Sequence, residues 1–61
     1  MKIEFTTDNA AFCDSNGDPS YDHKALEIAR ILREITSEVR YGYDAGLVKD
    51  INGNVIGQWS L

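Results

Sequence analysis

The chain has 61 residues and a formal net charge of −4 at pH 7, a length that predicts one small domain, residues 1–61. Its single cysteine and single histidine exclude an internal disulfide and a Cys/His zinc site, which leaves self-association to support a small core. No apolar run is long enough for a signal peptide or a membrane span, and acidic proteins repel phosphate, so we expect an intracellular protein that binds neither membrane nor nucleic acid directly.

The N-terminal segment alternates apolar and polar residues. Ile3 and Phe5 are each flanked by polar neighbours, the period-two pattern of a half-buried strand, which we place at about residues 2–6. The turn-forming residues that follow predict a loop over 7–19. We expect Phe12 to anchor this loop to the core.

An amphipathic helix is predicted at about residues 20–41. It begins either with Asp18 as the N-cap before Pro19 or with Ser20 as the N-cap. Gly42 offers the left-handed conformation that ends many helices. Apolar residues recur at alternating spacings of four and three and form one stripe. We predict this stripe to be the buried face: Tyr21, Ala25, Ile28, Leu32, Ile35 and Val39.

The C-terminal segment predicts a β-hairpin over about residues 46–60. Either Asn52 and Gly53 form a two-residue type I′ loop, or a type I turn starts at Asp50 and Gly53 is a left-handed bulge residue. The bulged register gathers apolar residues on one face, whereas the two-residue register mixes both faces, so we favour the bulged turn. In that register the face toward the helix carries Leu47, Lys49, Val55 and Trp59.

The element order β-α-β-β predicts an α+β fold in which one amphipathic helix packs on a three-stranded sheet. If the first strand pairs with the second, the two are parallel and joined by a right-handed crossover. If the first strand pairs with the third, they are antiparallel and the apolar third strand is central. We favour the antiparallel arrangement.

The loop before the helix contains Asp14-x-Asn16-x-Asp18, which is how an EF-hand calcium loop begins. However, Pro19 stands where the calcium loop needs glycine, and Ala25 stands where it needs a bidentate glutamate. We therefore predict a polar turn that leads into the helix cap, with weak calcium binding as the alternative. No metal or other cofactor is expected.

Cys13 and His23 are the residues closest to a nucleophile and base pair. Cys13 has no basic neighbour in sequence to favour the thiolate, and the positive helix N-terminus disfavours an imidazolium at His23. The motifs of phosphate loops, dinucleotide folds, metalloproteases and serine hydrolases are absent from the chain. We expect no catalytic residues and a protein that is not an enzyme.

On the polar side of the predicted helix, positive and negative charges lie on separate flanks. Arg30, Arg33 and Arg40 lie on one flank, and glutamates lie on the other. An ordinary solvated face with i,i+4 ion pairs accounts for this pattern, and the functional alternative is a negative surface that binds a basic partner protein. This predicted acidic flank consists of Glu27, Glu34, Glu38, Asp14, Asp18 and Asp22.

A second candidate surface is apolar. Leu26 falls outside the predicted buried stripe, and in the favoured hairpin register Val48 and Ile56 face away from the helix. A bare Val-Ile pair on a sheet predicts a face that a second copy or a partner covers, so a homodimer is one expectation. Tyr41 and Tyr43 either lie at the rim of that contact or fold onto the core.

Three stretches carry a resemblance to known proteins: Thr7-Asp8-Asn9-Ala10-Ala11-Phe12, Ala29-Arg30-Ile31-Leu32-Arg33-Glu34 and Leu47-x-x-Asp50-x-Asn52-Gly53-Asn54-x-x-Gly57-x-Trp59. They resemble short acidic proteins encoded by tailed bacteriophages and prophages. These are turn and core residues, so the resemblance implies a phage origin and marks no functional residue. It also implies that the protein is located in the cytoplasm of a bacterial host. Similar phage proteins include anti-CRISPR proteins and other inhibitors of host defence, which act by binding.

These features predict a non-enzymatic, phage-type protein-binding module. The leading hypothesis is a stoichiometric inhibitor that engages a basic surface of a host or phage protein, such as a host defence or nucleic-acid-binding complex. The alternative hypothesis is a structural or accessory phage protein that acts through self-association.

Overall fold

The computed structural model describes residues 1–13 and 21–61, and Ala10 and Tyr21 by their backbone alone. The predicted α+β fold with the order β-α-β-β is confirmed. A short 3-10 helix lies inside the predicted loop, and α1 begins beside Ser20, which is outside the described residues. The elements are β1 (Lys2–Phe5), the 3-10 helix (Ala10–Phe12), α1 (Tyr21–Arg40), β2 (Ala45–Lys49) and β3 (Val55–Ser60).

The sheet has the strand order β1-β3-β2, and β3 runs antiparallel to both neighbours. The favoured antiparallel arrangement is therefore confirmed, and β3 is the central strand. Trp59 on β3 is flanked by Ile3 on β1 and by Gly46 on β2. The large indole thus lies at the middle of the sheet, where it can be covered from one side by the helix.

Helix α1 ends as the sequence predicts. Gly42 has a φ of +97°, and its N–H donates to the carbonyl of Val39 at 3.1 Å. The N–H of Tyr43 donates to the carbonyl of Glu38 at 3.1 Å. These two hydrogen bonds form a Schellman motif and satisfy carbonyl groups that the last turn would leave unpaired.

The buried face of α1 is rotated from the predicted stripe. Ile35 is buried as expected, but Ile31, which the prediction omits, is also buried, and Leu32, which it includes, is exposed. The prediction is wrong at these positions because two glutamates, Glu27 and Glu38, turn inward to accept hydrogen bonds from the hairpin. A stripe that is drawn only through apolar residues cannot include them.

The favoured bulged hairpin turn is confirmed. The N–H of Gly53 donates to the carbonyl of Asp50 at 3.0 Å, and the N–H of Asp50 donates to the carbonyl of Asn54 at 2.9 Å. Gly53 has a φ of +84°, which the bulge position requires. Ile51 and Asn52 are the two central residues of the type I turn.

A second bulge in β3 reverses the predicted faces of the hairpin. Lys49 pairs with Val55, but Val48 pairs with Gly57, so Ile56 is an extra residue in β3. A shift of the pairing register by one residue moves side chains to the opposite face of the sheet. Val48 therefore lies on the same face as Trp59 and is only 2% exposed. The prediction that Val48 and Ile56 face away from the helix is wrong, since Ile56 also packs against the core.

The core lies between α1 and one face of the sheet. Phe12 is buried in it, which confirms that this residue anchors the segment after β1. Partly buried residues from β1 and the helix surround the core, among them Ile3, Phe5 and Ile28. The buried apolar residues among those described are Phe12, Ile31, Ile35, Val48 and Trp59.

Candidate functional site

The predicted acidic flank is in large part internal to the fold. The side chain of Glu27 is only 5% exposed. Its Oε1 accepts a hydrogen bond from Nε of Arg30 at 2.5 Å, and its Oε2 accepts one from the backbone N–H of Ile51 at 2.9 Å. Both carboxylate oxygens are therefore occupied, and the expectation that Glu27 faces a partner protein is wrong.

Arg30 joins this buried carboxylate to two other groups. Its guanidinium donates to Oε1 of Glu34 at 2.8 Å and to the carbonyl of Lys49 at 3.0 Å. The hydrogen bond to Glu27, opposed in part by burial, raises the pKa of Arg30 above its usual value. Arg30 and Glu27 together fasten the middle of α1 to the hairpin turn, so the two signs of charge are not held on separate flanks here.

Glu38 makes the corresponding connection at the other end of the helix. Its Oε2 accepts a hydrogen bond from Nε1 of Trp59 at 2.7 Å. Gly46 permits this arrangement, because a Cβ at that position would lie 2.6 Å from the indole nitrogen and 2.7 Å from the carboxylate oxygen. Glu38 is half-buried and serves the fold through this contact.

The exposed charges of the described residues are balanced. Of the predicted acidic flank, Glu34 and Asp22 are exposed, and Asp14 and Asp18 lie outside the described residues. The part of the chain that the structure describes therefore presents no excess of negative charge to solvent. Its exposed carboxylates are Glu4, Asp8, Asp22, Glu34 and Asp44, and its exposed basic side chains are Lys2, Lys24, Arg33, Arg40 and Lys49.

Asp50 organises the hairpin turn from a buried position. Its Oδ1 accepts hydrogen bonds from the backbone N–H groups of Asn52 and Asn54, each at 2.9 Å. Its Oδ2 accepts from the side-chain amides of Asn9 at 2.7 Å and Asn54 at 3.1 Å. Burial alone would raise the pKa of Asp50, but these donors outweigh it and hold the pKa below its usual value.

Two large apolar side chains outside the core line the same cleft. Leu26 on α1 is 69% exposed, and Ile51 at the hairpin turn is 68% exposed. Both line a shallow cleft of about 330 Å³, together with Arg33. We call these three residues the Leu26–Ile51 patch.

The sequence identifies only part of this patch. Leu26 is singled out because it falls outside the apolar stripe of the helix. Ile51 is missed, although a large apolar residue at the second position of a type I turn is a usable signal, because turns are normally polar. Its proximity to Leu26 depends on the hydrogen bond from its N–H to Glu27, which no local pattern encodes.

The outer face of the sheet is a second exposed surface. Leu47 is 57% exposed and Val55 is 56% exposed. Glu4, Gln58 and Leu47 form one row across the three strands, because Gln58 pairs with both neighbours. The predicted bare sheet face therefore exists, but with these residues in place of Val48 and Ile56.

The two tyrosines that flank Gly42 do not fold onto the core. Tyr41 and Tyr43 are both exposed. The alternative in which they pack on the core is therefore wrong, and their place at the rim of a contact stays a prediction.

Cys13 follows the short 3-10 helix, and His23 lies on α1. Sγ of Cys13 donates a weak hydrogen bond to the carbonyl of Asn9 at 3.5 Å, and His23 lies in the first turns of α1, where its side chain is exposed. Within residues 1–13 and 21–61, no group of three His, Cys, Asp or Glu side chains is arranged to hold a metal ion. The predicted EF-hand-like loop lies outside those ranges.

Comparison with known proteins adds no relative. No protein-family model matches the chain, and no curated protein or solved structure matches it either. Across the described residues, no helix has both the length and the apolar character needed to span a membrane.

Proposed function

We propose that this chain is a non-enzymatic protein-binding module that acts by contact through the Leu26–Ile51 patch. The observation that carries the proposal is that two exposed large apolar side chains, one from α1 and one from the hairpin turn, line the same cleft as Arg33. Side chains of this kind are typical centres of protein interfaces when they are clustered and rimmed by polar groups.

The fold does not require either side chain. Leu26 and Ile51 contribute nothing to the buried core, and a polar residue would suit both positions. Complete burial of a Leu or Ile side chain against a partner is worth about 1.5–3 kcal/mol for each. The pair therefore offers binding energy that folding leaves unused.

The patch is also held in place before any partner arrives. The N–H of Ile51 donates to the buried carboxylate of Glu27, the residue that follows Leu26 in the chain. Asp50 fixes the same turn through four hydrogen bonds. A preorganised surface loses little conformational entropy on binding, which favours affinity.

A stoichiometric inhibitor of a host complex is the specific form of this proposal that the resemblance to phage proteins suggests. Such an inhibitor needs no reaction, only a surface that occupies its target. The version that relies on an acidic flank is less well supported, because Glu27 and Glu38 are engaged inside the fold and Glu34 is paired with Arg30. The Leu26–Ile51 patch is the better candidate for the contact.

Affinity capture from bacterial lysates tests the proposal with matched variants. Wild type is compared with Leu26→Ser/Ile51→Ser and with Leu47→Ser/Val55→Ser, which removes two exposed apolar side chains from the outer sheet face instead. We expect a protein that wild type and the sheet-face variant retain and the patch variant loses, and that binds purified wild type with a fixed stoichiometry. Equal capture by all three chains, or no protein enriched by wild type, would contradict the proposal.

Self-association through the outer sheet face is a second candidate function. It is favoured by the exposure of Leu47 and Val55 on a face that α1 does not cover, because a small core gains support when a second copy buries such a face. Sedimentation velocity over a wide concentration range tests it. A dimer that Leu47→Asp abolishes and Leu26→Asp leaves intact supports this function, and a monomer at every concentration contradicts it.

A further inference from the structure

We infer that the partner of the Leu26–Ile51 patch presents an apolar side chain flanked by carboxylates, and this inference rests on the proposed function. It reverses the partner that the net charge of −4 suggests, which is a basic protein. The reversal follows from where the charges lie in the fold rather than from how many there are.

The charges that line the patch cleft come from Glu27, Arg30 and Arg33. Glu27 presents almost nothing to solvent, since both of its oxygens accept hydrogen bonds within the fold. Arg30 is 24% exposed, and Arg33 is exposed. Among the described residues that line this cleft, the charge that reaches solvent beside Leu26 and Ile51 is therefore positive.

Arg33 is the exposed basic residue of the cleft. Among the residues that the structure describes, no salt bridge or hydrogen bond joins its guanidinium to another side chain. Arg30, by contrast, already serves Glu27, Glu34 and the carbonyl of Lys49. Guanidinium groups bind carboxylates through two parallel hydrogen bonds, so a carboxylate on the partner is the natural complement of Arg33.

The occupant that fits is a protein segment with a large apolar residue between acidic ones. Its apolar side chain would enter the cleft beside Leu26 and Ile51, and a neighbouring Asp or Glu would meet Arg33. On the outer sheet face, Lys2 and Glu4 pair with each other at 3.0 Å, and Lys49 is exposed beside Val55.

A random peptide library displayed on yeast tests the chemistry directly. The library is selected on wild type and depleted on Leu26→Ser/Ile51→Ser, so that only peptides that need the patch remain. We expect the selected peptides to be enriched in Asp and Glu next to Leu, Ile, Phe or Trp. Enrichment in Lys or Arg, or in apolar residues without acidic ones, would overturn the inference and leave the proposed function standing.

One selected peptide is then titrated into ¹⁵N-labelled wild type, Arg33→Glu and Arg40→Glu. The two variants change the net charge equally, but Arg40 does not line the patch cleft. We expect Arg33→Glu to weaken binding at least about fivefold at low salt and Arg40→Glu to change it less than about twofold, with the difference reduced at high salt. Equal effects of the two variants would contradict the role of Arg33.

The two experiments also separate the inference from the proposed function. Chemical-shift changes in wild type that centre on Leu26, Ile51 and their neighbours support both. A library that yields no peptide dependent on the patch would contradict both. If patch-dependent peptides bind Arg33→Glu as tightly as wild type, the inference of an acidic partner is contradicted. The proposal that the patch is the binding surface would still stand.

Discussion

The indole of Trp59 donates a hydrogen bond to Oε2 of Glu38 at 2.7 Å, from the central strand of the sheet to the C-terminal half of α1. Gly46 on β2 completes the arrangement, since any side chain there would collide with both partners. Three elements thus meet at one polar contact, beside a tryptophan that is among the most deeply buried of the described residues. A buried indole N–H is costly to leave unpaired, so this contact favours the observed position of α1 on the sheet.

Replacement of Glu38 by alanine tests the importance of that contact. Glu38→Ala leaves the buried N–H of Trp59 without an acceptor, and we expect the free energy of unfolding to fall by about 1–3 kcal/mol in urea denaturation. Glu34→Ala is the matched control, because Glu34 is exposed and its pair with Arg30 is worth only about 0.2–0.5 kcal/mol. Equal losses for the two variants would show that the Trp59 contact has no special weight.

The fold was predictable from local signals of the sequence. The alternation around Ile3 and Phe5, the helix end at Gly42 and the turn at Gly53 each follow from residues within a few positions of one another. The central position of β3 follows from its apolar character. These features depend on the conformational preferences of neighbouring residues, which can be read directly from a single sequence.

The assignment of faces was not predictable in the same way. The bulged turn is correct, but the argument from side chains that selected it assumed an uninterrupted ladder, and the extra residue Ile56 breaks that ladder. The only local signal of the bulge near Ile56 is Gly57, and a glycine within a strand can equally mark a bend or a close backbone approach. As a result Val48 and Leu47 exchange their predicted faces.

The residues of the candidate site were also only partly predictable from the sequence. Composition assigns Glu27 and Glu38 to a solvated flank, because charged residues are rarely buried. They are drawn inward by a backbone N–H at Ile51 and an indole at Trp59, which lie 24 and 21 residues further along the chain. Long-range hydrogen-bond donors of this kind decide which carboxylates remain on the surface, and the acidic-flank hypothesis depended on that outcome.

Gly57→Ala tests the close approach of β1 and β3. A Cβ at Gly57 would overlap the backbone carbonyl of Glu4 and lie 2.5 Å from Cα of Phe5, so β1 and β3 could not keep their spacing. We expect the free energy of unfolding to fall by about 3 kcal/mol or more, at the upper end of overpacking costs. Hydrogen exchange should show the loss first at the amides of β1. Unchanged stability and unchanged protection of β1 would contradict the close approach of these strands.

The pH dependence of stability tests the role of Asp50. Its pKa in the folded protein lies below the usual value of 3.8, so the unfolded chain takes up the proton first as the pH falls. The stabilisation by Asp50 is therefore fully present above about pH 5 and is lost as the pH falls through the folded pKa. We expect the difference in unfolding free energy between wild type and Asp50→Asn to shrink over this interval.

A direct titration separates Asp50 from the other carboxylates. The ¹³C shift of its carboxyl carbon should report a midpoint below 3.8 in wild type. Asn9→Ala removes one of its donors, at 2.7 Å, and should raise that midpoint toward the usual value. A midpoint at or above 3.8 in wild type would contradict the hydrogen-bonded turn.

Glu27 and Arg30 form the remaining connection between α1 and the hairpin, and their replacement distinguishes a structural carboxylate from a binding one. Glu27→Ala leaves the N–H of Ile51 unpaired and Arg30 without its main partner, and we expect a loss of about 2–4 kcal/mol in unfolding free energy. Glu27→Gln keeps an acceptor for Ile51 and should recover part of that loss. Charge reversal at exposed Asp22, in the first turn of α1, should instead cost only about 1 kcal/mol through the helix dipole. A stable Glu27→Ala protein that lost only partner binding would restore the acidic-flank hypothesis, because it would mean that this carboxylate serves recognition rather than the fold.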